Sequence, residues 1–501
     1  MRILNFCKKN LIFIWCLVTS FTILLFTSRS SFFFPYNNWD DANSYFTMGK
    51  GLMNHMVIYR DLYDQKGPFL YLLYGICYLI SNNSFKGVFL FEIIAATLFL
   101  YYSFQIIRRH CNIKIIYMLI PVLAAGVYSS KSFYWGGAAE EFCLPMFAYS
   151  LYVLNKFLYP VSGDKKISES TKEIFIVGLL TGITSLIKYT MLGFYFAFGV
   201  IVLILIIYRE GFVKAIKPAL IYFLGIVIPF IPWFIFFGVN GALDDWYRCY
   251  IFNNLFFYSN ITGDKITFSA KLYKLCKLQY WLFIDNFEYF LYIAVGFVAN
   301  LFTEKIVLRK IMYPFMYLCT FMFIFYGGGT LPYYSIPLMP FSIIGFVAIG
   351  KFLKKLSEHY SNESFWYNLG IFTLISCVVF AKNNSQSTNY LFTDKDTFWL
   401  TEAASFIEEA PNTTLLNVGA LDVGLYTITG IVPTCEYFQT NGIALPTMFS
   451  EQERYIKEGL TTYVISSEGE PEHIYDHYDL IYQTAFYDNG YDQSYYLYKL
   501  R

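Results

Sequence analysis

The chain has 501 residues, of which 56% are hydrophobic, 21% aromatic and only 15% charged. A single water-soluble core cannot absorb that much apolar surface, so the composition excludes an ordinary soluble domain and points to a polytopic membrane protein. The 37 basic and 36 acidic residues nearly cancel, which removes any electrostatic case for nucleic acid as a partner.

In chain order, Arg2, Lys8 and Lys9 precede the apolar run Leu11 to Thr27 with no small-residue cleavage site after it, so an uncleaved first span with its amino terminus inside is expected. Further spans are expected at Gly87 to Ile107, Ile115 to Ser130, Phe142 to Tyr159, Ile174 to Tyr189, Met191 to Tyr208, Ala219 to Gly238, Phe287 to Thr303, Ile311 to Tyr326, Tyr333 to Gly350 and Phe365 to Ala381. That makes about 11 transmembrane helices and puts the carboxyl terminus outside. The run Pro68 to Ile80 falls below the roughly 17 residues a span needs, and counting it as one would invert everything after it. Read as an interfacial helix, it leaves the basic groups around Arg108, Lys165, Arg209, Lys305 and Lys351 on the side of the amino terminus, as the positive-inside rule requires. The first outer loop then covers about 28–86.

Two other outer segments follow from this topology. One is Lys131 to Glu141; the other is the aromatic and basic stretch Val239 to Asn286, which includes Tyr247, Arg248, Tyr250, Phe252, Tyr258, Lys265, Lys271, Lys274 and Lys277. After Lys382 the long apolar runs give way to short elements: a helical pattern at Thr397 to Glu409 and strand patterns at Thr414 to Val418, Thr461 to Ser466, Leu480 to Phe486 and Ser494 to Leu500. The expected organisation is a transmembrane domain over 1–381 and a small extracytoplasmic α/β domain over 382–501. The ten cysteines are scattered without zinc spacing; Cys249 and Cys276 share an outer loop that would allow them to pair.

Several polar groups stand out. Asp40 and Asp41 open a helical pattern after Trp39. One carboxylate serves the helix N-terminus, or one of them, made more basic by desolvation and a like-charged neighbour, takes a proton from an acceptor hydroxyl, and both readings can hold at once. In Tyr59-Arg60-Asp61-Leu62-Tyr63-Asp64-Gln65-Lys66-Gly67-Pro68, the charged groups form either weak surface pairs or an anion site in which Lys66 meets a lipid phosphate at headgroup depth. Glu140 and Glu141 precede a span, where the helix dipole favours acid; the alternative is a second carboxylate site facing Asp41 that holds sugar hydroxyls or a divalent metal. Lys188 sits in an apolar hairpin, where a charge must be paired, hydrated or snorkel.

Taken together, these landmarks resemble the C-type (GT-C) superfamily of integral membrane glycosyltransferases, in the bacterial branch similar to protein mannosyltransferases and the lipid A aminoarabinose transferase. Asp41 with Tyr45, then Tyr59-Arg60-Asp61 and Asp64-Gln65-Lys66-Gly67-Pro68, look like the acidic and Lys-(Gly/Pro)-Pro motifs of the first outer loop. Gly137 with Glu140-Glu141, Gly178 to Gly182 with Lys188, and Pro332-Tyr333-Tyr334 with Pro337 and Pro340 look like its later landmarks. Two departures are visible. Asp40-Asp41 stands where many relatives have Asp-Glu, which leaves the choice of base between the two open, and Leu331-Pro332 stands where relatives often have a histidine.

The resemblance implies an inverting transferase that passes a sugar from a polyprenyl-phosphate-linked donor to an acceptor hydroxyl on a cell-envelope glycan or lipid, at the outer face of a bacterial plasma membrane. Asp41, with Asp40 as the other candidate, is expected as general base, and Lys66 with Arg60 or Lys188 as the donor-phosphate site. Tyr45, Tyr59, Asp61, Asp64, Glu140, Glu141, Tyr333 and Tyr334 are the expected substrate contacts. No metal or other cofactor is expected, because a monophosphate leaving group met by such cations requires none. A flippase of lipid-linked saccharides is the competing class, but such transporters show paired halves with helices broken near the midplane, whereas the polar groups here gather at the outer face.

Overall fold

Uninterrupted apolar runs dictate helices through most of the chain, because only a helix satisfies its own backbone polar groups away from water. The computed structural model describes residues 10–257, 267–327, 329–359, 362–443, 445–467, 469–488 and 491–501. Arg2, Lys8, Lys9, Tyr258 and Lys265 lie outside them. The chain folds as two units: the described residues of 1–28, 90–231 and 265–389, and those of 29–89, 232–264 and 390–501.

Among the described residues, six helices are long and apolar enough to cross a bilayer: Lys86–Arg108, Tyr189–Glu210, Phe212–Val239, Val307–Phe325, Pro332–Lys354 and Ser364–Asn384. Phe268–Asp285 and Phe287–Thr303, bent by 112° at their junction, make a seventh if taken as one span. The protein is thus a multi-span helical membrane protein. The expected spans beginning near Leu11, Ile115, Phe142 and Ile174 are shorter helices, Leu11–Thr27, Ile113–Tyr128, Leu144–Leu158 and Thr171–Ser185, of 17, 16, 15 and 15 residues. The first has the roughly 17 residues a span needs; the other three, at 1.5 Å per residue, reach about 22–24 Å, short of a hydrocarbon core of about 30 Å. The first turns of Pro332–Lys354 are 3-10 helix through Phe341, because Pro332, Pro337 and Pro340 each lack the N–H an α-helix would use.

Within the first unit, Thr171–Ser185 and Phe212–Val227 pack backbone to backbone. A Cβ added to Gly178 would lie 2.3 Å from the Tyr222 carbonyl oxygen, and one on Gly225 2.6 Å from that of Phe175. Small residues are what allow helices this approach in a membrane.

The second unit joins the first outer loop to the carboxyl-terminal segment. Helix Asp40–Met53 packs on helix Pro68–Ile80, which has the bounds read from the sequence and starts with Gly67 as N-cap and Pro68 at the first position. Beside them is a four-stranded sheet of β1 (Leu415–Val418), β2 (Tyr463–Ser466), β3 (Tyr478–Asp488) and β4 (Tyr491–Leu500), in the order β1-β2-β4-β3. β1 and β2 are parallel, and the helix Pro446–Lys457 lies on the crossover between them, burying Met448, Gln452 and Ile456 at a spacing of four. β4 runs antiparallel to both neighbours. Leu416, Val418, Val464, Ile456 and Tyr498 are among the buried residues of its core. The helix expected over Thr397 to Glu409 is shorter, Trp399–Ser405, as the chain turns before Pro411. Cys249 and Cys276, which the loop reading allowed to pair, are both free.

Candidate active site

Helix Asp40–Met53 starts where Asn37 accepts a hydrogen bond from the Trp39 N–H (3.1 Å), a turn that ends the preceding extended chain. Asp40 Oδ1 then accepts from the Asp41 N–H at 2.8 Å, so the first carboxylate satisfies an open first-turn donor. Burial, and then the charge of Asp41, push the Asp40 carboxyl up from 3.8 to about 7, against the pull of backbone N–H groups and Lys66. Asp41 is differently placed. It is 8% exposed, its Oδ1 accepts from the Tyr45 hydroxyl one turn later at 2.9 Å, and the same oxygen lies 3.6 Å from Lys66 Nζ.

The loop that delivers Lys66 is held by its own tyrosines. The Tyr59 hydroxyl donates to the Lys66 carbonyl (2.6 Å), and the Lys66 N–H donates to the Tyr71 oxygen (2.8 Å). Tyr71 in turn donates to Asp64 Oδ2 (2.7 Å), whose Oδ1 accepts from the Asn441 amide (2.9 Å). Tyr59 takes a φ of 73°, unusual for an aromatic residue, to make this turn. Burial raises the Asp64 carboxyl, with Lys66 and Tyr71 opposing. Tyr59 and Tyr45, expected as substrate contacts, are both buried with their hydroxyls engaged, so what they touch is the lysine loop and Asp41. Arg60 and Asp61 form an exposed pair at 2.8 Å. Arg60 also donates to the Asn240 carbonyl, while Asp61, lowered chiefly by Arg60, accepts from the Val57 N–H.

The carboxyl-terminal segment supplies groups that sequence reasoning missed. Ser44 donates to Gln439 (2.5 Å), Thr47 to Asp422 (2.7 Å), and Thr427 to Asn43 (2.8 Å). Lys50, fully buried, donates to the carbonyls of Tyr426 and Ile431; burial lowers its ammonium to about 7, with Asp422 opposing. A lone Asn or Gln in a turn carries no local signal of such a long-range partner.

The remaining candidates lie in the first unit. Lys188 forms an ion pair with Glu140 and sits 3.7 Å from the centre of the Tyr334 ring and 5.5 Å from that of Tyr333. Its charge is therefore matched by a carboxylate and two aromatic faces, which is how a cation is tolerated at an apolar position. Glu141, one residue on, turns elsewhere: it accepts from the Gly137 N–H (2.9 Å), and burial together with Glu92 raises its carboxyl. Gly136 and Gly137 make that turn with φ of 82° and 85°. Among the described residues no group of three or more His, Cys, Asp or Glu side chains is arranged to hold a metal.

Among solved structures, the chain has the fold of the GT-C glycosyltransferases. The particular likenesses are these. ArnT from Cupriavidus metallidurans, the lipid A aminoarabinose transferase, bound to undecaprenyl phosphate, matches with a TM-score of 0.61 at 13% identity, covering 98% of each chain. Its apo state matches with a TM-score of 0.60 at 13% identity, over 98% of this chain and 97% of ArnT. The archaeal oligosaccharyltransferase AglB from Archaeoglobus fulgidus, in complex with an inhibitory peptide and a dolichol-phosphate, matches with a TM-score of 0.51 at 11% identity over 92% of this chain and 70% of AglB. No family model and no curated protein sequence matches the chain.

Proposed function

We propose that the protein is a glycosyltransferase that moves a sugar from a polyprenyl-phosphate-linked donor to an acceptor hydroxyl on a cell-envelope glycan or lipid, at the outer face of a bacterial plasma membrane. One observation carries this reading: a pair of adjacent aspartates with divided environments, one made basic by burial and the other pairing a buried lysine. The likeness to ArnT bound to undecaprenyl phosphate, and to AglB with dolichol-phosphate, supports a lipid phosphate as the carrier.

In this mechanism the acceptor oxygen attacks the anomeric carbon while the bond to the phosphate oxygen breaks on the opposite side, so the configuration inverts. The proton of the acceptor hydroxyl passes to the base, and the electron pair of the broken bond leaves with the lipid phosphate. Both Asp40 and Asp41 are candidates from the sequence. The environments favour Asp40 as the base, because a carboxylate with a proton affinity near neutrality is the better acceptor and Asp41 is already engaged by Lys66 and Tyr45. Asp41 is then the residue that aims Lys66, and Lys66 meets the charge growing on the leaving phosphate.

The test is transfer of labelled sugar from a polyprenyl-phosphate donor in proteoliposomes holding wild type, Asp40→Asn or Lys66→Ala. Loss of product in both variants with membrane insertion intact is expected. Wild-type movement of the donor across the bilayer without any change in the acceptor's mass would favour a flippase and end the transferase reading.

A further inference from the structure

We propose that the chain carries a binding site for an anionic phospholipid, separate from the acidic site: its headgroup in a basic cavity at the turn between the spans Tyr189–Glu210 and Phe212–Val239, and an acyl chain in the apolar groove that continues from it. The cavity, of about 830 Å³, is lined by six cationic and three acidic side chains from the ends of four helices and the loop around 160–170. What singles it out from an ordinary basic membrane rim is which charges are already engaged.

Asp164 is held by Arg109 (2.8 Å) and the Val161 N–H (2.9 Å), and Glu210 by the Ile167 N–H (2.9 Å) and the Ser168 hydroxyl (2.5 Å). Only Glu169 remains among the acids. Lys156 pairs with Glu173, and Arg209 donates to the Phe157 carbonyl. The side chains of the other four cations, Lys165, Lys166, Lys214 and Lys217, make no hydrogen bond or ion pair among the described residues, yet all line the same cavity. Thr171–Ser185 and Phe212–Val227 both begin there without a side-chain cap, so their first-turn N–H groups add donors and the positive ends of two dipoles. Uncommitted cations and open helix starts in one hollow fit a phosphate.

The second half of the site decides what the phosphate is attached to. A groove of about 460 Å³ runs along one helix past Ile216, Leu220, Ile221 and Leu224, and it shares Val213 and Lys217 with the basic cavity. Phosphate-binding and hydrocarbon-binding surfaces therefore meet at Lys217, at the end of two spans, where headgroup and acyl chain of a bilayer lipid also meet. A soluble phosphate has no use for the groove.

The experiment is native mass spectrometry of the full-length protein, delipidated in detergent and offered phosphatidylglycerol, phosphatidylethanolamine or a polyprenyl phosphate, each with and without excess inorganic phosphate. Retention of phosphatidylglycerol is expected, and K165Q/K166Q/K214Q/K217Q should weaken it by about tenfold or more. K305Q/K310Q, which removes two cations outside the cavity, should leave it unchanged. The four lysines are exposed, so both variants should unfold at the wild-type temperature, and a quadruple variant that did not would be replaced by Lys214→Gln/Lys217→Gln. Equal retention of phosphatidylethanolamine, equal weakening by the control pair, displacement by inorganic phosphate, or retention of the polyprenyl phosphate alone would each overturn the assignment.

Discussion

On the proposed mechanism, raising the pH from 5 to 7 is expected to increase the rate of sugar transfer about fiftyfold, and the reason lies in one carboxyl group. Burial and the adjacent Asp41 charge move Asp40 from 3.8 to about 7. A base of that affinity is about half ionised at pH 7, about a tenth at pH 6 and about a hundredth at pH 5, so kcat/KM climbs about tenfold from pH 5 to 6, about fivefold from 6 to 7, and levels off above that. The donor, a phosphate diester, keeps a fixed charge across this range, so the rising limb belongs to the protein. Asp41→Asn removes the like charge and releases Lys66, and both changes favour ionised Asp40. The limb should move to lower pH by on the order of one unit, about 1.4 kcal/mol of interaction, while the plateau falls because Lys66 is no longer aimed. The assay is transfer in proteoliposomes between pH 5 and 8.5, with intact folding verified at each pH. A flat wild-type profile, or a limb that stays in place or moves up in Asp41→Asn, would refute the division of labour between the two aspartates.

Lys66→Ala should lower kcat by about 10²–10³, the scale of losing one preorganised donor to developing charge, and Lys66→Arg should recover part of it; transfer rates under saturating donor measure both. Lys50→Met removes a cation buried between the carbonyls of Tyr426 and Ile431 and leaves Asp422 without it, so a loss of about 3–5 kcal/mol is expected, read as a lower unfolding temperature. On the proposed mechanism, in which Lys66 supplies the positive charge at the phosphate, transfer should persist in EDTA; loss in EDTA restored by magnesium or manganese would contradict this.

The acidic helix start, Lys66 with its Gly67-Pro68 exit and the helix Pro68–Ile80 were legible because each depends on local chemistry: a charge at a dipole, a ring that fixes φ, an apolar run of defined length. The strands were legible for the same reason, as β1 and β2 fall within the runs expected for them. The residues that hold the aspartate helix were not. Gln439, Asn441 and Asp422 act across nearly 400 residues of separation, and nothing in their neighbours distinguishes them from ordinary turn residues. The helix Pro446–Lys457 was missed because its buried face includes Gln452 and is therefore only weakly apolar. The sequence leaves Lys188 to snorkel, be hydrated or find a partner such as a phosphate, and Glu140 to serve a helix dipole or a sugar; their pairing requires knowing that two loops 48 residues apart meet.

The helix Asp40–Met53 is clamped on two faces, and on the proposed mechanism this gives the carboxyl-terminal segment a positioning part in the chemistry. Asn43, Ser44, Thr47 and Lys50 recur at the spacing of one helical face and bond to the segment 422–439, while Tyr45 and Gly49 meet Tyr74 and Gly75 of the neighbouring helix. Turning the helix by one residue would rotate every side chain by about 100° and break both faces at once, so the domain fixes where the two carboxylates point. Asn441 extends the clamp to the lysine loop through Asp64. Asn441→Ala takes one hydrogen bond from a buried carboxylate, a loss of about 1–3 kcal/mol, and loosens the Tyr71 link that holds the Lys66 backbone. If the domain only anchored or solubilised the chain, this variant would keep wild-type kcat despite its lower unfolding temperature. If it positions the site, kcat falls several-fold while the apparent affinity for donor lipid changes little, and the two outcomes separate in one steady-state titration.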